Sequence, residues 1–295
     1  MNFSDYLQSR SIENKFATVL RAARKSAGFT AEELCDQVRM PLQNYLLWEG
    51  GKDFPSLMEW KSVCDQLLIH IDSFRYGYIE SHTNIHIQSN SKVGSFKIPH
   101  IYSESQATAN RWFIPIVEYL RYRLGDDAFK QFLNHKLHLD EDYFYIYGYQ
   151  VNFNLVQDIF RELFRLEITE YELSQVAHAG IQYLYPNRLR DIYCIYQNPE
   201  FIFLNLEQIN NRFDLSFRFE LIDGSGDVFY INNTSADWIQ EKFNIESQIL
   251  KLYHFYKREW FHMTVELVSH RKLIISEIEL DDKGDIECLF QVQVA

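Results

Sequence analysis

Apolar residues recur at helical spacing through the first part of the chain. Phe16, Val19, Leu20 and Ala23 predict a helix over residues 14–27. Thr30 with Glu33 three positions on forms a capping box, which predicts a short helix to about Gln37 with Leu34 and Val38 facing inward. After a turn through Arg39 and Met40, Pro41 suits the first turn of a second helix, and Tyr45 and Trp48 fall three apart on its buried side. Gly50 and Gly51 end that helix. Pro55 to about Ile71 repeats the pattern with Leu57, Trp60, Val63, Cys64 and Leu67.

From Ile79 to Asn110 the apolar periodicity is lost among Ser, Asn, His, Gln and Thr, as in a partly extended linker. Helical spacing resumes over Trp112–Leu124, where Pro115 is tolerable near the first turn and Gly125 is a stop; Asp126 and Asp127 open the next helix. Residues 143–151, YFYIYGYQV, read as an aromatic strand or loop. Asn154–Phe164 is amphipathic, and Thr169 with Glu172 caps a helix through Leu173, Val176 and Leu184 that Tyr185-Pro186 ends. Beyond Asn198-Pro199 the period becomes two. A strand from Asp214, a turn at Asp223–Gly226 and VFYI form a hairpin; a helical region spans about Ser235–Tyr256; strand-like runs follow at His262–Val268, Lys272–Leu280 and Ile286–Val294.

The expected organisation is a leader at 1–13, an all-α helix-turn-helix domain at 14–78, a linker at 79–110, and an α+β domain at 111–295 with helices followed by a mostly antiparallel sheet.

Charge narrows the function. The formal net charge is −12; residues 1–70 hold 8 Lys+Arg against 9 Asp+Glu, so −11 falls on residues 71–295. The second part is therefore no generic nucleic-acid surface. In the first part Arg21, Arg24, Lys25, Arg39 and Lys52 form either a local basic patch or a solvated face. Aromatics at 16% point to large aromatic cores. Cys35, Cys64, Cys194 and Cys288 are widely separated, which favours free thiols in a reducing compartment. No signal core or membrane-spanning run is legible, so a cytoplasmic location is expected, with no membrane partner.

Two helices joined by a tight turn are the arrangement that can place a second helix in the DNA major groove. With Leu20, Arg21, Arg24 and Gly28 ahead of it, Thr30-x-Glu32-Glu33-Leu34, Tyr45-x-x-Trp48-Glu49-x-Gly51-Lys52 and Pro55-Ser56-Leu57, residues 14–69 resemble the lambda-repressor/Cro-like (XRE) helix-turn-helix family. The resemblance implies a DNA-binding transcriptional regulator acting as a homodimer, with Gln43 and Asn44 on bases and Arg39 and Lys52 on phosphates. The sequence departs from the family at Ala31, where Gln is common, and at Arg39, where Gly is usual; Arg39 then needs another backbone solution or a positive φ. Leu42, Leu46 and Leu47 occupy the remaining outward positions. They carry the competing expectation, an adaptor or scaffold whose helix-turn-helix face binds a protein.

His178 stands seven residues before Tyr185-Pro186, and Ser216-x-Arg218 lies near a strand. In these features residues 111–295 resemble the heme-based nitric-oxide/oxygen sensor fold and its heme-less relatives. In heme-binding members the histidine ligates iron and a Tyr-x-Ser-x-Arg motif holds the propionates. Asp214 replaces the tyrosine here, which sets a carboxylate against propionates; the implication is a heme-less sensory or dimerisation domain with no cofactor. His82 and His86 are four apart, a ligand spacing only on a helix, and the flanking IESHTNIHIQSNS does not read as helical; His135, His138, Asp140 and Asp142 have metal-ligand residue types, but no second cluster closes a coordination shell, and the group reads as a solvated helix end. No phosphate loop, nucleophile elbow or paired carboxylates appear, and an enzyme is not expected.

Overall fold

The structure is a computed structural model that describes residues 2–9, 12–71, 73, 79, 98–103, 106–109, 112–146, 150–180, 217–225, 228–235, 239, 242–243, 245–269, 273–280 and 287–294. These are mostly helical, with a small antiparallel sheet. They divide into two compact units: residues 1–104 with 109–151, and 105–108 with 152–295.

In the first unit, helices α2 (Ile12–Ala27), α3 (Ala31–Val38), α4 (Leu42–Glu49) and α5 (Leu57–Leu67) follow the expected periodicity, and a further helix, α1 (Phe3–Ser9), forms in the leader. The expected capping box forms at α3, Thr30 with Glu33, and a second one, Ser56 with Glu59, opens α5. Pro41 is the N-cap of α4 rather than its first residue, since a proline ring fits extended backbone. Val19, Leu20, Leu34, Tyr45, Trp48, Trp60 and Val63 are buried, each full aliphatic burial contributing roughly 1.5–3 kcal/mol. The Phe16 ring sits edge-on to Trp60 with centroids 5.0 Å apart, and Trp60 Nε1 donates to the Ile71 carbonyl at 2.8 Å.

The unit extends well past the expected boundary at residue 78. The leader is structural: Phe3 meets Tyr119 edge-to-face at 5.2 Å, and Leu7 is buried. Helix α6 (Ile114–Leu124) carries Pro115 in its first turn, and Gly125 at φ 78° leads into α7 (Asp126–Gln131). A π-helix, Phe132–Leu137, continues it and ends at His138 in the left-handed region. Of the aromatic run expected as strand or loop, residues 143–145 form instead the end of a 3-10 helix, Glu141–Tyr145, capped by the Asp140 side chain, while Gln150 and Val151 at its far end lie in a short strand, Gln150–Asn152, and residues 147–149 lie outside the described residues. Tyr143, Phe144 and Tyr145 are all buried, which an alternating strand with one solvated face would not allow. The Ile79 N–H donates to the Tyr145 carbonyl at 2.9 Å. Of the expected linker, residues 80–97 lie outside the described residues, His82 and His86 with them; further along, His100–Ser103 is a helical turn and Gln106–Ala109 a short strand.

In the second unit, α8 (Phe153–Arg165) matches the expected amphipathic helix, and α9 (Glu170–Ala179) starts at its expected Thr169–Glu172 capping box but ends at Gly180; its expected continuation, residues 181–185, lies outside the described residues. Both pack on α10 (Ser247–Ser269). Phe160 meets Tyr253 edge-on at 5.2 Å. Helix α10 overturns the strand expected at His262–Val268. Leu250, Tyr253, Tyr256, Trp260 and Met263 are buried at steps of three or four, so burial carries the helix through that alternating stretch. Strands β1 (Phe217–Ser225), β2 (Val228–Ser235), β3 (Leu273–Leu280) and β4 (Glu287–Val294) form an antiparallel sheet in the order β1-β2-β4-β3. The hairpin is tighter than expected, because Asp223–Ser225 belong to β1, with Ser225 opposite Val228. No helix among the described residues is long and apolar enough to cross a membrane.

Candidate recognition surface

Helix α4 is held from beneath by its own buried side chains. Tyr45 and Trp48 point into the unit, and the Tyr45 hydroxyl donates to Glu49 Oε1 at 2.9 Å. Glu49 also receives Arg24 of α2, Nε at 2.7 Å and Nη2 at 3.1 Å, while Arg24 Nη1 donates to the Phe29 carbonyl at 2.8 Å. Burial works against the Arg24 charge; the Glu49 carboxylate more than offsets it and holds the guanidinium above its ordinary pKa. Burial, reinforced by Glu49, pushes the Tyr45 phenol well above its ordinary range, so it stays a donor.

Arg39 resolves the missing glycine by adopting φ 54°, ψ 48°. Its N–H and that of Met40 both reach the Cys35 carbonyl, which closes α3 with paired bonds to one acceptor. Gln43 and Asn44 lie exposed on α4, with exposed Arg39 before it and exposed Lys52 after it. Neither Arg39 nor Lys52 makes an ion pair among the described residues. Leu46 and Leu47 are 49% and 42% exposed, whereas Leu42 is half-buried and contributes less to an apolar face than its spacing suggests. Leu57 and Met58, at 73% and 74%, add to the exposed apolar residues of this part of the chain; the helical spacing predicts a core position for Leu57, and the structure turns it outward.

The other cations expected near this surface are committed elsewhere. Arg21 Nε donates to both Asp142 oxygens at 3.2 and 3.3 Å, and Lys25 Nζ donates to Asp142 at 2.7 Å and also pairs with Asp140. Burial alone lowers the Lys25 pKa, but Asp142 and Asp140 together raise it above its ordinary value. Asp142 is thus a buried ion-pair partner and not part of a solvated helix end. No local signal announces this, since the partners are more than a hundred residues apart. Arg21, Lys25, Lys130, Asn134, His138 and Glu141 are among the residues lining a cleft of about 670 Å³ beside the cluster. Among the described residues no group of three or more His, Cys, Asp or Glu side chains is placed to hold a metal ion. Cys35 and Cys64 are buried free thiols, pushed by burial up to about 11 and about 12.

His178 is half exposed on α9, with its Nε2 3.9 Å from a Glu259 carboxylate oxygen that also accepts from the Ser174 hydroxyl at 2.6 Å. Tyr185, Asp214 and Ser216 lie outside the described residues, as does Cys194.

No family model and no curated protein matches the chain. Among solved structures it is similar to an Fe(II) unliganded H-NOX protein from K. algicida, with TM-score 0.47 and 11% identity over 63% of this chain and 96% of that one. A mutant of that protein gives 0.46 and 12% at the same coverage, and a Cs H-NOX mutant bearing 4-cyano-L-phenylalanine gives 0.39 and 12%, also at the same coverage.

Proposed function

We propose that this protein is a DNA-binding transcriptional regulator that reads sequence with the outer face of α4, and whose second unit is a ligand-sensing or dimerisation part. The observation that carries the reading is the pair of exposed amides, Gln43 and Asn44, on a helix whose Tyr45 and Trp48 are buried, with Arg39 and Lys52 exposed at its two ends. Side-chain amides can satisfy the donor and acceptor pattern of adenine in the major groove, and flanking cations fix register on phosphates. One short helix reads few bases, so the active form is a homodimer with two half-sites.

The test is a mobility-shift titration over salt with a selected DNA pool. Gln43→Ala with Asn44→Ala relaxes sequence preference, each good amide–adenine pair being worth about 1–3 kcal/mol of discrimination. Arg39→Ala or Lys52→Ala instead weakens binding to all sequences and reduces the salt slope by about 1 for each phosphate no longer neutralised. Unaltered preference in the double variant would remove the assigned face.

A second reading has its own support, the 49% and 42% exposure of Leu46 and Leu47 on the same helix. An exposed apolar face favours a protein partner, as in an adaptor or scaffold. Absence of any DNA shift at low salt, with a co-purifying partner released by Leu46→Asp, selects this reading.

A further inference from the structure

Arg21 stands at a crossing of three elements. From α2, its Nη1 donates to the backbone carbonyl of Glu49, the last residue of α4, at 2.7 Å, and its Nε bonds the Asp142 carboxylate of the 3-10 helix. The last carbonyls of a helix have no partner within it, and a guanidinium is suited to take one while gripping a carboxylate with another edge. Beyond Glu49 come Gly50 and Gly51, the latter at φ 64°, and with Lys52 their N–H groups turn back onto the last carbonyls of α4, so the Arg21 bond to the Glu49 carbonyl holds the one of these acceptors that they leave. The 3-10 helix is itself tied down. The Asp142 N–H bonds the Asp140 side chain at 3.0 Å, Lys25 bridges Asp140 and Asp142, the Tyr145 carbonyl accepts from Ile79, and the Tyr145 hydroxyl donates to buried Glu118.

We infer that Asp142 is a positioning residue for the outer face of α4: it fixes Arg21, and the fixed guanidinium sets where α4 ends and therefore where Gln43 and Asn44 stand. Naming that face a reading surface rests on the proposed function; the mechanical link does not.

The full-length chain tests the link by amide hydrogen exchange. The reporters are Gly50, Gly51 and Lys52, whose N–H groups bond the Leu46, Trp48 and Leu47 carbonyls; the control is Trp60 in α5, whose N–H bonds Ser56. Asp142→Asn keeps the side-chain shape and leaves Lys25 its Asp140 partner, and Arg21→Lys keeps the charge but not the fork. Each is expected to speed exchange at the three reporters about tenfold, the scale of one missing charge-assisted hydrogen bond, with Trp60 unchanged. The double variant is expected to match either single one, because both break the same link. Unchanged reporters, equal acceleration at Trp60, or additive effects in the double variant would each overturn the inference. Where the wild type shifts DNA, Asp142→Asn lowers affinity for the preferred sequence without changing the salt slope; a changed slope would place these residues at the phosphates and likewise overturn it. A wild type that binds no DNA defeats the proposed function alone, and the exchange measurement still decides the link.

Discussion

The bond between Glu49 and Arg24 is the clamp that seats α4 on α2, and its removal has a calculable cost. The Glu49 carboxylate accepts two bonds from Arg24 and one from Tyr45, with side-chain exposures of 10% for Glu49 and 12% for Arg24. Glu49→Gln preserves shape but turns an amide N–H₂ or a neutral oxygen toward a guanidinium that has little water. Breaking a buried ion pair from one side costs about 3–5 kcal/mol because a stranded charge remains. The residual exposure places this pair at the lower end, so about 3 kcal/mol is expected, or roughly a hundredfold in local opening. The assay is hydrogen exchange across residues 12–49 of the full-length protein in a urea series. Raising salt from about 0.05 to 0.5 M is expected to change the cost little, since enclosed pairs are poorly screened. Adding Arg24→Met removes the stranded cation while the introduced amide still accepts from Tyr45, and the double variant should recover more than half of the stability. A double variant no better than Glu49→Gln alone, or a single-variant cost below about 1 kcal/mol, would refute the assignment of the clamp to a desolvated charge pair.

Two further expectations concern the second unit. An alanine Cβ at Gly180 would lie 2.1 Å from Cζ2 of the fully buried Trp260 ring, so Gly180→Ala should cost about 1–3 kcal/mol, read as a lower urea midpoint; an unchanged midpoint would show that the ring can move aside. His254 is buried, and burial depresses its pKa to about 3, so the folded state holds it neutral while the unfolded chain protonates near 6.5. Its contribution is therefore present above pH 6.5 and lost as pH falls from there toward 3, at up to about 1.4 kcal/mol per pH unit for one proton. Unfolding free energies measured between about pH 7 and 4.5 should show this slope, and His254→Phe should flatten it; an equal slope in the variant would assign the acid sensitivity to other groups.

Much of the first unit is legible in the sequence because its helices α2–α5 are specified by short-range chemistry. Capping boxes, Pro41, Gly50-Gly51 and apolar spacing act over three to five residues, and they place the helix starts, and the ends of α2, α3 and α4, to within one or two positions, whereas α5 stops at Leu67, four residues short of its expected end. The exposed polar residues Gln43 and Asn44 are legible for the same reason, since the burial of Tyr45 and Trp48 determines which way they face. The alternation of HMTVELV misleads, because a local pattern can be overridden when the preceding apolar residues already commit a helix to a packed face.

What the sequence by itself determined, then, is where the helices α2–α5 of the first unit start and turn, along with an acidic balance that bars the second unit from being a generic DNA surface. Only the tertiary structure decided which cations near α4 are available. Arg21, Arg24 and Lys25 look alike in composition to Arg39 and Lys52, yet the former are neutralised by Asp142, Glu49 and Asp140. It also decided that residues 109–151 belong with the first unit and that Leu57 faces outward. The physical reason is one of range: local hydrogen bonding and side-chain spacing act along the chain, whereas an ion pair or a buried ring finds its partner only after the chain has folded back on itself.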